Sequence, residues 1–263
     1  MSDSNMAKRK AIPRAPAVLG APFLRRIMTM EDRCDVTRYP FNIPAFDGGI
    51  DLKLDEKVTF LVGENGSGKS TLLEALAECC GFHAQGGNRD HHREVFTERS
   101  EFAQALRLSW MPKATEGFFM RAESFYNFAT YIDEVSDLRA YGGKSLHQQS
   151  HGESFLSLFD NRFEQGIYLL DEPEAALSPS RQLAFLKIIH DLATPGHAQF
   201  LIATHSPILL SYPGATVYSL DGDSIEQVDY RDTEHYCLTR DFLNAPERYL
   251  RHLFASEEED DDG

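Results

Sequence analysis

Three short runs in this chain are apolar at nearly every position: "VTFLV" (58–62), "IYLL" (167–170) and "QFLIAT" (199–204). Runs of that length, rich in β-branched and aromatic residues, predict strands buried on both faces, as in a parallel sheet. Each leads into a segment of the other period. Apolar residues recur at helical spacing in "STLLEALAECC" (70–80) and "SPSRQLAFLKIIHDLA" (178–193), and a helix is expected from near Pro207 in "FLIATHSPILL". "FLRRIMTM" (23–30), "IDLKL" (50–54) and "GFFMR" (117–121) read as further strands, with "IPAFDGG" (43–49) as a turn between the first two. "SFYNFATYIDEV" (124–135) reads as an aromatic helix whose stripe suits a core, and "ESFLSLFDNRF" (153–163) as a helix entered from a flexible "AYGGKSLHQQSHG". "FAQALRLSW" (102–110) fits either helix or strand. "TVYSL" and "SIEQV" predict a hairpin around Asp221-Gly222, and "TRDFLN" and "PERYLRHLF" predict closing helices. Strands alternating with helices define an α/β class with a mostly parallel sheet and flanking helices.

The turn after the first buried strand carries chemistry. "LVGENGSGKSTLL" (61–73) satisfies G-x-x-x-x-G-K-[ST] between a strand and a helix, the context in which that motif has meaning. Gly63, Glu64, Asn65, Gly66, Ser67 and Gly68 would turn successive N–H groups inward as an anion nest at a helix N-terminus, continued by Lys69, Ser70 and Thr71. Lys69 supplies a point charge for β- and γ-phosphates. The Ser70 hydroxyl is a hard oxygen ligand for Mg²⁺.

Two other strand ends fit the same site. Asp171 and Glu172 follow "IYLL" directly, where open α/β sheets bind ligands. Asp171 is assigned to the metal and Glu172 to the attacking water. His205 follows "QFLIAT", on a strand expected beside "IYLL", and would donate a hydrogen bond to the γ-phosphate. In "QSHGESFLSLF", Ser150 and Glu153 form a capping box, and the same helix start offers a hydroxyl and free N–H groups to an anion.

Composition narrows the setting. The formal charge is −15, and the terminal run Glu257–Asp262 supplies six of those negatives, leaving an acidic body of −9. A broad nucleic-acid-binding face is therefore not advertised, although Lys8, Arg9, Lys10 and Arg14 lie in the proline-broken stretch 1–20, which reads as a flexible arm. No run approaches the roughly 18 apolar residues of a membrane span. The arm also lacks the apolar core of a secretory signal. Four cysteines without a C-x-x-C pair suit a reducing cytoplasm. Cys79, Cys80, His83, His91 and His92 include zinc-ligand types, but at no recognised spacing. The body, 21–255, reads as one domain, followed by an acidic, solvated tail at 256–263.

In this order, the Lys69 loop, "QSHGE", "IYLLDE", "EAALS" and His205 resemble five motifs of the ABC-type ATPase superfamily. These are its Walker A, signature, Walker B, D-loop and switch histidine. The likeness covers roughly residues 23–220. It implies a P-loop NTPase fold with a small helical and antiparallel subregion, the helical lobe lying within about 81–163. Glu153 stands where transporters usually have glutamine, His151 where they have glycine, and Ser178 at the usual D-loop aspartate. The glutamate is closer to the SMC/RecF branch, though Lys69 and Ser150 are only 81 positions apart, too close for SMC coiled coils. The whole chain resembles stand-alone bacterial AAA/ABC-like ATPases. The resemblance implies ATP and Mg²⁺ as ligands, with Glu123, or else Gln85, serving in place of the Q-loop glutamine at the metal. It implies an adenine-stacking aromatic at Tyr39, with Phe41 and Phe46 as alternatives. It further implies an ATP-driven head-to-tail homodimer, in which Ser150 and Gly152 of one chain close on the nucleotide of the other. The function expected is an ATPase motor or switch for a soluble protein partner, with DNA maintenance or phage defence as settings. The alternative is the ATP-binding subunit of a membrane transporter, which the departures disfavour.

Overall fold

The computed structural model describes residues 20–82, 99–114, 116–121 and 165–255. Within them the chain opens on β1 (Leu24–Thr29), the one-turn helix α1 (Pro44–Asp47) and β2 (Asp51–Lys53), then β3 (Val58–Val62) and α2 (Lys69–Cys80). Next come α3 (Glu101–Ala105), β4 (Leu106–Trp110), β5 (Gly117–Arg121), β6 (Gly166–Asp171) and α4 (Pro179–Ala193). β7 (Ala198–Ala203), α5 (Pro207–Leu210), β8 (Thr216–Ser219), β9 (Glu226–Val228), α6 (Glu234–Asn244) and α7 (Pro246–Phe254) complete it. The main sheet has the order β5-β6-β7-β3-β8-β9, parallel except for the β8–β9 hairpin. β2, β1 and β4 form a separate antiparallel sheet.

The fully apolar runs lie where their composition requires. Every residue of β3, β6 and β7 is buried. Alternation along β3 divides it between two cores. Leu61 faces α2, with Leu73, Leu76, Phe102 and Leu169, whereas Phe60 and Val62 face α4, with Phe185, Ile189, Phe200 and Ile202. Leu24, Ile27 and Leu52 of the antiparallel sheet join the first core.

One buried polar side chain fastens the two sheets together. Gln199 of β7 accepts from the Phe23 and Leu24 backbone N–H groups at 2.8 Å each and donates to the Leu24 carbonyl at 2.8 Å. That gives β1, at its end, the backbone partners that its own sheet does not supply.

Three segments differ from the sequence expectation. "FAQALRLSW" is both of its alternatives in succession: Ser100 caps α3 by accepting from the Ala103 N–H at 3.2 Å, and from Leu106 onward the chain pairs with β1. "IPAFDGG" holds the short α1, and α6 starts at Glu234, five residues before "TRDFLN". Of the span 81–163, within which the helical lobe is expected, the described part contributes α3, β4 and the expected strand β5.

Candidate functional site

The loop between β3 and α2 depends on its glycines. Gly63 (φ 144°) and Gly68 (φ 102°) adopt backbone conformations that side chains strongly disfavour. A Cβ on Gly63 would lie 2.8 Å from Ser67 Oγ and 2.9 Å from Asp221 Oδ1. On Gly68 it would strike the Phe46 ring at 2.7 Å. The loop is held by Asp221, two residues past β8, whose Oδ1 accepts from the Glu64 N–H at 2.6 Å. Lys69 is buried, and its ammonium donates to the carbonyls of Gly63 (2.5 Å) and Glu64 (3.0 Å). Burial lowers its pKa, while Glu172, Asp221, Asp171 and Glu64 oppose that shift. The Ser67 hydroxyl is buried with no hydrogen-bond partner among the described residues. A hydroxyl donor left in that state just before a helix N-terminus suits an anionic ligand.

β6 runs parallel to β7, which runs parallel to β3, so their C-terminal ends converge on this loop. Ser70 Oγ donates to Asp171 Oδ1 at 3.1 Å. Arg121, paired in register with Asp171 at the end of β5, reaches Asp171 Oδ2 at 3.3 Å and also pairs with Glu74 of α2. Burial raises the Asp171 pKa, and the Ser70 hydrogen bond and Arg121 oppose it. A hydroxyl beside a carboxylate, both hard oxygen donors, suits Mg²⁺, which keeps several waters and needs few protein ligands. Ser70 and Asp171 are the residues that would hold it.

Beyond Asp171 the backbone turns sharply. Glu172 sits in the left-handed region (φ 51°, ψ 52°), the one non-glycine residue with positive φ among those described. Its N–H donates to the Ala203 carbonyl at 2.9 Å, and its own carbonyl accepts from Ala175 at 3.1 Å. The turn leaves the carboxylate partly in solvent, with Oε1 3.4 Å from His205 Nε2. Three contacts fix His205. Its backbone N–H donates to Glu174 Oε1 at 2.6 Å, its Nε2 faces Glu172, and its Nδ1 lies 2.6 Å from Nε2 of His235 on α6. Burial lowers the His205 pKa, with Lys69 and His235 adding to the effect and Glu172 and Glu64 opposing it. Burial likewise raises that of Glu174, against the hydrogen bond from the His205 backbone.

Of the aromatic candidates, Phe41 and Phe46 are buried against Phe102 in the first core. Tyr39 is 68% exposed, with its hydroxyl 2.9 Å from Thr71 Oγ1 at the start of α2. Gln85, Glu123, Ser150, His151, Gly152 and Glu153 lie outside the described residues. Cys79 serves packing. Its thiol donates to the Ala103 carbonyl, and burial pushes its pKa up to about 11. No group of three or more His, Cys, Asp or Glu among the described residues is placed to hold a metal ion.

Sequence reasoning missed four residues of the site: Arg121, Glu174, Asp221 and His235. Arg121 and Asp221 each end or follow a strand adjoining one that bears the site, a position that strand order alone would have flagged. Glu174 lies two residues past Glu172. His235 carried no signal.

Strand, glycine loop, hydroxyl–carboxylate pair and strand-end histidine together define a P-loop nucleotide-binding domain. Two family models match the chain: one described as "AAA domain" over residues 41–138, and one as "AAA domain, putative AbiEii toxin, Type IV TA system" over residues 153–211. Both models describe AAA-type ATPase domains, and the chain's relatives include the ATP-binding protein of a transport system and RecF. The chain is 26% identical over 239 residues to the tungstate uptake system ATP-binding protein TupC of Campylobacter jejuni, covering 75% of this chain and 68% of that one. It is 22% identical over 183 residues to the DNA replication and repair protein RecF of Chlorobaculum parvum, covering 61% of this chain and 49% of RecF. It thus spans about two thirds of the first relative and half of the second. Among solved structures, cbiO1 of Clostridium perfringens, part of the ABC transporter complex cbiONQ, superposes with a TM-score of 0.48 at 17% identity. That match covers 88% of this chain and 99% of cbiO1. No helix among the described residues is long and apolar enough to cross a membrane.

Proposed function

We propose that the chain binds and hydrolyses ATP with Mg²⁺, and that it works as an ATP-driven head-to-tail homodimer serving a soluble protein partner in the cytoplasm. The observation that carries the catalytic reading is the convergence of Ser70–Asp171 and Glu172–His205 on the buried Lys69 loop. Lys69 and the loop N–H groups bind the phosphate chain, and Tyr39 stacks on the base. Mg²⁺, held by Ser70 and Asp171 with Glu123 as a further ligand, would offset charge on the β- and γ-phosphates. Glu172 orients the attacking water and accepts its proton. His205 donates through Nε2 to the γ-phosphate, close enough to Glu172 that both groups meet one reacting centre.

The dimer rests on the resemblance, which puts Ser150 and Gly152 of a second copy over the γ-phosphate, with Glu153 beside them as the capping-box partner of Ser150. The exposed carboxylate of Glu172 fits a site closed from outside the chain. DNA maintenance or phage defence is supported by the RecF relative and by the toxin–antitoxin wording of the second family model. A second reading, a transporter's ATP-binding subunit, is favoured by TupC. Against it, β5 ends in Arg121, bound to Asp171 and Glu74, close to where the family's Q-loop glutamine would follow.

Glu172→Gln tests the catalytic reading. The variant should bind ATP–Mg²⁺ like the wild type and turn over at least about a hundredfold more slowly, the loss expected for a general base. With ATP it should sediment as a dimer. Turnover near the wild-type rate would reduce Glu172 to a structural turn residue. Capture of partners by the same variant in its own cells, with membrane and soluble fractions kept apart, separates the two settings.

A further inference from the structure

His205 has two ring nitrogens, and what it can do at the γ-phosphate depends on which carries the proton. Neutral imidazole is a donor at one nitrogen and an acceptor at the other. Its Nδ1 lies 2.6 Å from His235 Nε2, and the rings are 4.5 Å apart between centroids. That contact joins residues 30 positions apart, one following β7 and the other in the first turn of α6. At such a distance the two nitrogens share a single proton, so one ring donates and the other accepts. If His205 donates from Nδ1, its Nε2 holds a lone pair toward Glu172, and two acceptors face each other at 3.4 Å. If His235 donates instead, His205 Nδ1 accepts and its Nε2 carries the hydrogen toward Glu172. Both arrangements make the Nδ1 contact, but only the second turns a hydrogen rather than a lone pair toward the carboxylate. His205 Nε2 is buried and makes no hydrogen bond among the described residues, so the Glu172 carboxylate acts on it through charge: it favours a hydrogen at Nε2 over a lone pair.

We propose that His235 is a positioning residue: its Nε2–H donates to His205 Nδ1 and thereby holds His205 as the Nε2–H tautomer, the form able to donate to a γ-phosphate. The role deepens the ATPase reading and rests on it. His235 touches no reacting atom and acts through His205 alone. It also gives α6 a direct contact with His205, so a displacement of α6 withdraws the donor.

The test uses the full chain labelled with ¹⁵N-histidine, in which the tautomer is read from the Nδ1 and Nε2 shifts, His205 being assigned by its loss in His205→Gln. The wild type should show His205 with its hydrogen on Nε2. His235→Phe keeps a ring but removes the donor, and His205 should shift toward a mixture of tautomers. Its kcat should fall about three- to tenfold, the range a single neutral hydrogen bond sets, with KM for ATP within about twofold. His235→Gln, whose amide N–H can reach the same place, should keep the wild-type tautomer and most of kcat. An unchanged His205 tautomer in His235→Phe overturns the proposal whatever the turnover. So does a His235→Gln that stays folded but loses as much kcat as the phenylalanine variant. If His205→Gln itself leaves turnover intact, the failure lies with the hydrolysis reading, and the tautomer measurement still decides the pairing.

Discussion

Glu172 holds its place against the preference of its own backbone, and that strain is measurable. A left-handed conformation costs a residue with a Cβ roughly 1–2 kcal/mol. Two backbone hydrogen bonds, to the Ala203 carbonyl and from the Ala175 N–H, hold the turn and survive any change of side chain. Glu172→Gly should therefore remove the strain while keeping the turn. Glycine's greater freedom in the unfolded chain takes back about 0.4–1 kcal/mol. The net gain is centred on about 0.8 kcal/mol within roughly 0–1.6 kcal/mol, and the centre corresponds to roughly 1–4 °C in melting temperature for a domain of this size. Glu172→Ala provides the reference, because it removes the same carboxylate and keeps the Cβ. Without nucleotide, Glu172→Gly should melt about 1–4 °C above Glu172→Ala, and both should lose at least about a hundredfold in turnover. A site that sets stability against function behaves in that way. If the glycine variant melts at or below the alanine variant, Glu172 is not held in the left-handed region in solution and the strain reasoning fails.

Two further substitutions probe the loop and the sheet junction. Gly63→Ala would force a Cβ to within 2.9 Å of both Ser67 Oγ and Asp221 Oδ1 at φ 144°, and should weaken ATP binding by about ten- to a hundredfold in a calorimetric titration; wild-type affinity would show the loop to be far softer than this geometry. Gln199→Leu strands the buried N–H groups of Phe23 and Leu24 and the Leu24 carbonyl, at about 1–3 kcal/mol each. It should lower the denaturation midpoint by several kcal/mol of stability at an unchanged m value, and a loss below about 1 kcal/mol would show that the two sheets are joined by packing alone.

What the sequence made legible follows from how local each signal is. β3, β6 and β7 are apolar throughout because both faces are covered, and that pattern needs no knowledge of the neighbours. The Lys69 loop was equally legible, since its glycines answer to φ angles set within a few residues. β6 and β7 were expected as neighbours from their matching strand-end chemistry, and they are. The outcome of "FAQALRLSW" was not legible. Ser100 favours a helix start, but pairing with β1, some 80 positions earlier in the chain, decides where that helix stops. Distance upstream of the loop puts Tyr39 ahead of Phe41 and Phe46; that it is exposed while both phenylalanines are buried is something no spacing reveals. Asp221 was read as a hairpin residue, and it does lie beyond β8, yet the same carboxylate also braces Glu64 of the loop. His235 was invisible for the same reason. Its meaning comes from one contact made across the fold.

The central claim is a composite ATPase site in which Lys69 of one chain and Ser150 of another serve the same nucleotide. Mixing Lys69→Ala with Ser150→Arg tests it most directly, because each variant alone lacks a complete site whereas a heterodimer contains one intact Lys69–Ser150 pair. Each should be nearly inactive by itself, and the equimolar mixture should regain steady-state ATP turnover. If the mixture stays inactive while both variants fold and dimerise, the site is not shared between chains and the account of its assembly is wrong.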